Sequence, residues 1–233
     1  KPYQRIAAEV PVQLSRVDFS ALPEPERQAR LQQLADEQAH APFDLENGPL
    51  LRVWLARCSE REHHLLVTLH HIVAEGWAMD VFARELSELY EARMAGREPV
   101  LPALPVQYLD YVAWQRAWLE AGELQRQRDY WTAQLAGEQP VLELPSDRPR
   151  PAEQSHRGDL VRFEVDPALA RALRTFNAEH GLTSFMTSTA ALAVLLYRYS
   201  GQDDVRIGVP VANRARPESE RLIGAFLNTQ VLR

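Results

Sequence analysis

The sequence has a single cysteine, Cys58, so no internal disulfide can form and a reducing, cytoplasmic setting is expected. Cys58 closes the apolar stretch LRVWLARC with no neighbouring base, which points to packing rather than to a nucleophilic thiol. No apolar run reaches the roughly 18 residues that would cross a bilayer. The first residues, KPYQRIAAEV, show neither the hydrophobic stretch nor the small-residue cleavage site of a signal peptide. Positive charge is not in excess either. Net charge is -6 with a pI near 5.7, which argues against broad affinity for nucleic acid or an anionic membrane. Paired-cysteine metal motifs, phosphate-cradling glycine loops and nucleophile elbows are absent, as are internal repeats and low-complexity tracts.

What the chain does have is enough apolar material for one large core or two small ones: 45% of 233 residues. Residues 49–58 and 63–73 read as two strands around the charged turn SERE. After Gly76 the period changes, with Phe82, Leu86, Leu89 and Tyr90 at helical spacing until Gly96 and Pro99. Helical stretches VQYLDYVAWQRAWLEAG and ELQRQRDYWTAQLAG follow, each ending on a glycine that suits a left-handed cap.

The segment 144–158, LPSDRPRPAEQSHRG, is proline-rich and polar and reads as a linker. Beyond it the pattern restarts with a strand, DLVRFEV, and a helix begun by Asp166 and Pro167 and stopped at Gly181. Thr183 caps a further helix, SFMTSTAALAVLLYRYSG, whose apolar character nearly all round predicts full burial. Strands VRIGVPV and one within FLNTQVLR complete the reading. Strands and helices alternate on both sides of the linker, so the expected class is α/β in two lobes.

The stretch HHIVAEGW, residues 70–77, is where chemistry concentrates. Were the strand to run through 71, His70 and His71 would point to opposite faces and could not chelate one metal. The zinc pattern of two histidines and a glutamate needs one helix face, and this segment reads as extended. His63 and His64 read as solvated strand-edge residues, and His40, His156 and His180 as structural or solvated. The order is more telling: a histidine leaving a strand, a turn, an acid, then glycine at a helix start. An imidazole there can take a proton near neutral pH, glycine allows close backbone approach, and a helix N-terminus offers amides to an oxyanion. On spacing alone, a general base and a packed histidine pair fit equally.

HHIVAEGW resembles the HHxxxDG motif of the condensation domains of nonribosomal peptide synthetases, members of the chloramphenicol-acetyltransferase-like superfamily. YLDYVAW, Tyr108 to Trp114, resembles that family's YxDFAxW motif, and IGAFLNTQVLR, Ile223 to Arg233, its IGxFVNTxxxR motif. YWTAQLAGEQPVLELPSDRPRP and GVPVANR are also similar in style. Two departures stand out. The family's opening motifs, of the SxAQxR and RHExLR types, are missing, and Glu75 stands where the family has aspartate.

The resemblance implies an incomplete fragment of a two-lobed chloramphenicol-acetyltransferase-like α/β fold. Residues 1–155 would be a partial N-terminal lobe with its linker, and 156–233 the start of the C-terminal lobe. It implies amide-bond formation in a tunnel between lobes, where the amine of a downstream carrier-bound aminoacyl thioester attacks an upstream carrier-bound acyl or peptidyl thioester. The partners would be upstream and downstream peptidyl carrier proteins with phosphopantetheine arms and an adjacent adenylation domain. No metal or resident cofactor is implied. Carried over by position, His71 would orient or deprotonate the amine and Gly76 would offer its amide to the oxyanion. His70 and Trp77 would support them, and Glu75 would anchor the loop on Arg214, an arginine of the other lobe. Alternatives are a carrier-docking module weakened at Glu75 and a free acyltransferase using coenzyme A. Heterocyclization domains replace the histidines with aspartate, and epimerization domains usually follow the acid and glycine with a serine–tryptophan pair. Tyr108, Tyr111 and Trp114 read as helix packing, while Asn228 and Arg233 stay open between structural and tunnel-lining roles.

Overall fold

The computed structural model describes residues 3–149, 151–153 and 158–233. They form two compact units, Lys1–Glu120 with Ala212–Asn228, and Ala121–Val211 with Thr229–Arg233. The division falls at Glu120 and Ala121, beside the kink at Gly122, and part of the proline-rich segment 144–158, His156 included, lies outside the described residues.

The first unit contains strand β1 (Leu14–Asp18), helix α1 (Glu24–His40), strands β2 (Leu51–Arg57) and β3 (His63–Leu69), and helices α2 (Gly76–Ala95) and α3 (Tyr108–Trp118). β1 pairs in parallel with β2, Leu14 opposite Val53, and β2 pairs antiparallel with β3, Leu51 opposite Leu69. The parallel pair needs a crossover, and α1 supplies it. Leu31 and Leu34 of α1 are buried with Ala56 and Cys58 of the sheet, against Val17, Phe19, Trp54 and Leu66. Burial pushes the Cys58 thiol up, as expected of a packing residue. β1 and α1 carry little pattern: β1 is five residues long, and in α1 only Leu31 and Leu34 are buried. That is too narrow a stripe for periodicity to reveal.

The SERE hairpin is closed by Glu62 O, which accepts from Cys58 N at 2.9 Å and Ser59 N at 3.1 Å. β3 is shorter than the pattern predicts. Its ladder makes one more bond, His70 N to Leu50 O at 3.0 Å, and the chain then turns, Val73 N donating to His70 O at 3.0 Å.

α2 stops at Gly96, whose left-handed φ of 65° lets Arg97 N reach back to Ala92 O at 3.0 Å. Just beyond, Glu88 grips Arg97 at 2.6 and 2.9 Å and accepts from Val100 N at 2.7 Å. The Arg97 hydrogen bonds, then that of Val100, lower the Glu88 carboxyl from 4.5 to about 2. A carboxyl depressed on folding stabilises above its unfolded value and loses that contribution as pH falls through the folded one. The midpoint advantage of wild type over Glu88→Gln should therefore be full near neutral pH and shrink as pH falls from 4.5 towards about 2. Thermal unfolding of both proteins across that range checks it; an advantage independent of pH would refute it.

The second unit contains α4 (Leu124–Gln134), α5 (Pro167–His180), α6 (Ser184–Ser200), and strands β4 (Ile207–Val211) and β5 (Asn228–Leu232), which pair. The run ahead of α4 breaks at Gly122 as expected: in the turn Leu119–Glu123 its φ of 115° is non-helical and kinks the chain between α3 and α4. The start of α5 is as read, Asp166 accepting from Ala168 N at 2.8 Å and Leu169 N at 3.1 Å ahead of Pro167. Thr183 likewise accepts from Met186 N at 3.2 Å at the start of α6.

Two expectations fail here. DLVRFEV forms no strand: Leu160, Val161 and Phe163 are exposed and have no described strand to pair with, and an apolar run cannot make a ladder alone. α6 is not buried all round, with Phe185 54% and Leu195 52% exposed; among the described residues nothing covers its second face. No described helix is long and apolar enough to cross a membrane.

Candidate active site

The site begins with the turn that joins β3 to α2. His70 is half-buried and its ring is held: Nδ1 accepts from Ile72 N at 3.0 Å, and the ring meets that of Phe43 edge-on at 5.6 Å between centroids. A ring nitrogen that accepts a backbone N–H carries no proton, so His70 is held as the Nε2–H tautomer. His71 differs. It is exposed, and its ring has no hydrogen-bond partner among the described residues. The two histidines are separated by a turn, not by the strand alternation the sequence suggests, because the strand has ended at Leu69.

Glu75 is the N-cap residue of α2 in extended conformation, yet its side chain makes no cap hydrogen bond. It turns into the protein instead. Its residue is 4% exposed, and Oε1 accepts from Arg214 Nε at 3.0 Å. Oε2 accepts from two backbone amides, Phe226 N at 3.0 Å and Leu227 N at 2.6 Å. The separation from Arg214 meets the expected 4 Å or less, but the pairing is through one oxygen rather than a bidentate fork. Glu75 and Arg214 also lie in one compact unit rather than reaching across two. Arg214 is also held by its own loop: Nη1 donates to Ser219 O at 2.5 Å and Leu222 O at 2.9 Å, and Nη2 to Gly224 O at 3.4 Å. Its guanidinium stacks over the Phe226 ring at 4.0 Å. Backbone partners leave no mark in a sequence, and so the Phe226 and Leu227 amides could not have been foreseen.

With its carboxylate turned inward, Glu75 leaves the first amides of α2 without a side-chain cap. Gly76 and Trp77 are both exposed there, and a Cβ built at Gly76 meets nothing within 4 Å. Trp77 tethers the helix start by donating Nε1–H to Glu220 O at 2.7 Å.

The remaining motifs converge on the same anchor. Tyr108 donates its hydroxyl to Ala225 O at 2.8 Å, and the Tyr108 and Tyr111 rings pack on Phe226 at 5.2 and 4.6 Å. Burial first, and the Glu75 charge second, raises the Tyr108 phenol, which stays neutral and able to donate. Trp114 carries the Arg216 guanidinium at 4.1 Å. These aromatics pack the helix, as read. Gly224 is fixed by contact: a Cβ there would stand under 3.0 Å from two Tyr108 ring carbons. Gly224→Ala should cost about 1–3 kcal/mol by overpacking. Urea unfolding checks this, and an unchanged midpoint would show the ring free to move. Arg233 lies elsewhere, in the second unit, pairing with Asp204 at 2.8 Å through Nε and Nη2 and donating to Gln134 O and Ala136 O. No group of three or more His, Cys, Asp or Glu among the described residues is placed to hold a metal.

The whole chain, residues 1–233, matches the family described as Condensation domain. The chain belongs to the condensation-domain family. Its relatives include a linear gramicidin synthase polypeptide of Brevibacillus parabrevis, 51% identical over 94% of this chain and 3% of that protein. A phosphinothricin tripeptide synthetase of Streptomyces viridochromogenes is 42% identical over 100% of this chain and 20% of its own length. The X-domain from teicoplanin biosynthesis superposes with a TM-score of 0.85 at 34% identity, covering 99% of this chain and 51% of that one. The first condensation domain of the calcium-dependent antibiotic synthetase, solved with a substrate analogue, gives 0.70 at 26% identity, covering 96% and 48%. This chain thus spans a small part of its curated relatives and about half of the solved domains. Its fold is the α/β condensation-domain fold of the chloramphenicol-acetyltransferase-like kind.

Proposed function

We propose that this condensation domain forms an amide bond, joining an upstream carrier-bound acyl or peptidyl thioester to the amine of a downstream carrier-bound aminoacyl thioester. His71 orients that amine and takes its proton as nitrogen attacks the thioester carbonyl. The Gly76 amide, at the helix start, donates to the oxyanion that forms. His70, Trp77, Glu75 and Arg214 hold this geometry and touch no reacting atom. Collapse of the tetrahedral intermediate expels the upstream thiol, and the proton returns to it. Holding both reactants in line supplies several kcal/mol of the barrier reduction. Partners of this reaction are the two carrier proteins, with their phosphopantetheine arms, and a neighbouring adenylation domain. The domain's own residues suffice, with no resident cofactor.

One observation carries this reading. An exposed imidazole, without a hydrogen-bond partner among the described residues, lies five residues before a helix N-terminus with no side-chain cap, while the intervening acid is turned away and engaged through both oxygens. The acid therefore does not form a dyad with His71, and the longer glutamate keeps the anchor rather than losing it.

A second reading, a docking module, draws on the X-domain of teicoplanin biosynthesis, which was solved in complex with OxyB and superposes with a TM-score of 0.85. The intact anchor at Glu75 weighs against a decayed site. Mass analysis of both carriers after incubation with the full-length protein separates the two. Acyl group found on the downstream amine supports condensation. Acyl group retained upstream, with carrier binding intact, supports docking.

A further inference from the structure

We infer that Arg52 is a positioning residue for the histidine turn, acting through Phe43 and His70; this rests on the reading of His71 given above. Arg52 lies on β2, opposite Thr68 of β3, and its guanidinium leaves the sheet to close the end of α1. Nη2 donates to Gln38 O and Ala41 O, both at 2.8 Å, and Nη1 to Pro42 O at 3.0 Å. Three carbonyls at a helix C-terminus form a concentrated negative end, and a planar cation with fixed donors suits them better than an ammonium. The bonds fix residues 41–43, and the same guanidinium covers the Phe43 ring at 3.8 Å.

Phe43 in turn meets His70 at 5.6 Å with ring planes 86° apart. His70 is pinned from behind by its own N–H on Leu50 O, two residues before Arg52. Its ring, so oriented, presents Nδ1 to Ile72 N, and its carbonyl accepts from Val73 N. Those two bonds define the turn, and His71 is the residue between them. A run of contacts from the α1 terminus thus decides where the exposed imidazole projects. Arg52 itself makes no contact with His71 and reaches no reacting atom.

The test is Arg52→Met, which keeps an apolar stem of similar length, alongside Arg52→Lys and Phe43→Leu in the full-length protein. Hydrogen exchange, resolved to the Ile72 and Val73 amides, reads the turn without any turnover. Amide formation with loaded carriers reads the consequence. Exchange at 72–73 should rise about tenfold or more in Arg52→Met, with kcat falling about tenfold and KM for the carriers little changed. Exchange across Tyr108–Trp118 should stay at the wild-type level, which excludes general unfolding. Phe43→Leu should reproduce the loosening, and Arg52→Lys should recover only part of it. Unchanged exchange at 72–73, or a loosened turn with unchanged kcat, overturns the inference. If the wild-type protein forms no amide, the reading of His71 falls, and exchange at 72–73 alone decides the positioning claim.

Discussion

Glu75→Ala should lower stability by about 3–5 kcal/mol, the range found when one partner of a buried ion pair is removed. Against a total of roughly 5–15 kcal/mol this is a large loss. The side chains of Glu75 and Arg214 are each only 2% exposed, so water cannot replace the missing carboxylate. The substitution leaves a guanidinium without its counter-charge and two amides, those of Phe226 and Leu227, without their acceptor. Glu75→Gln should lose less, because one amide oxygen can still accept from the backbone. Chemical denaturation of the three proteins checks the order. A Glu75→Ala protein as stable as wild type would mean that the pair organises nothing. The loss should spread to Tyr108 and Tyr111, whose rings rest on Phe226, and near-ultraviolet circular dichroism would register it.

That prediction grew from a pairing legible in the sequence. Glu75 and Arg214 are 139 residues apart, and no periodicity connects them; resemblance to the HHxxxDG motif and the chemistry of a buried carboxylate did. What stayed hidden is physical in origin. The second oxygen of Glu75 binds backbone amides, which every residue possesses. The end of β3 at Leu69 coincides with the last pair of the ladder, Leu51 opposite Leu69, and with a turn closed by His70 on the Ile72 and Val73 amides, none of which periodicity shows. α1 escaped notice because only two leucines face the sheet, and its other turns are solvated. The opposite error occurred at residues 159–165, where an apolar alternation suggested a strand. A strand is a property of two segments, and this one has no described partner. Likewise the apolar surface of α6 marks what it can bury, while burial itself requires a neighbour. Capping signals fared better: Asp166 and Thr183 act within three residues of themselves, and such local chemistry survives whatever the tertiary context.

The largest effect on activity should come from His71→Ala, with amide formation falling about 100-fold or more, the usual worth of a positioned acid–base group. Folding should be untouched, because the ring is exposed and holds no described partner. His70→Ala should behave otherwise. It removes the acceptor of Ile72 N and the contact with Phe43, so the turn loosens and activity falls about tenfold through misplacement of a still intact imidazole. The two variants thus separate a residue that touches the substrate from one that holds it in place. Glu75→Gln should retain more activity than His71→Ala, since the acid serves as anchor and not as the partner of a dyad.

The most direct measurement is single-turnover transfer of a radiolabelled acyl group from the loaded upstream carrier to the amine on the downstream carrier, using wild-type, His70→Ala and His71→Ala proteins. Binding of each carrier is measured in parallel. The expected result is labelled amide on the downstream carrier with wild type, and transfer slowed about 100-fold or more in His71→Ala at unchanged carrier affinity. His70→Ala should fall between them. Transfer in His71→Ala within about threefold of wild type, or no labelled amide from a wild-type protein that binds both carriers, would contradict the assignment of His71 as the group that takes the amine's proton.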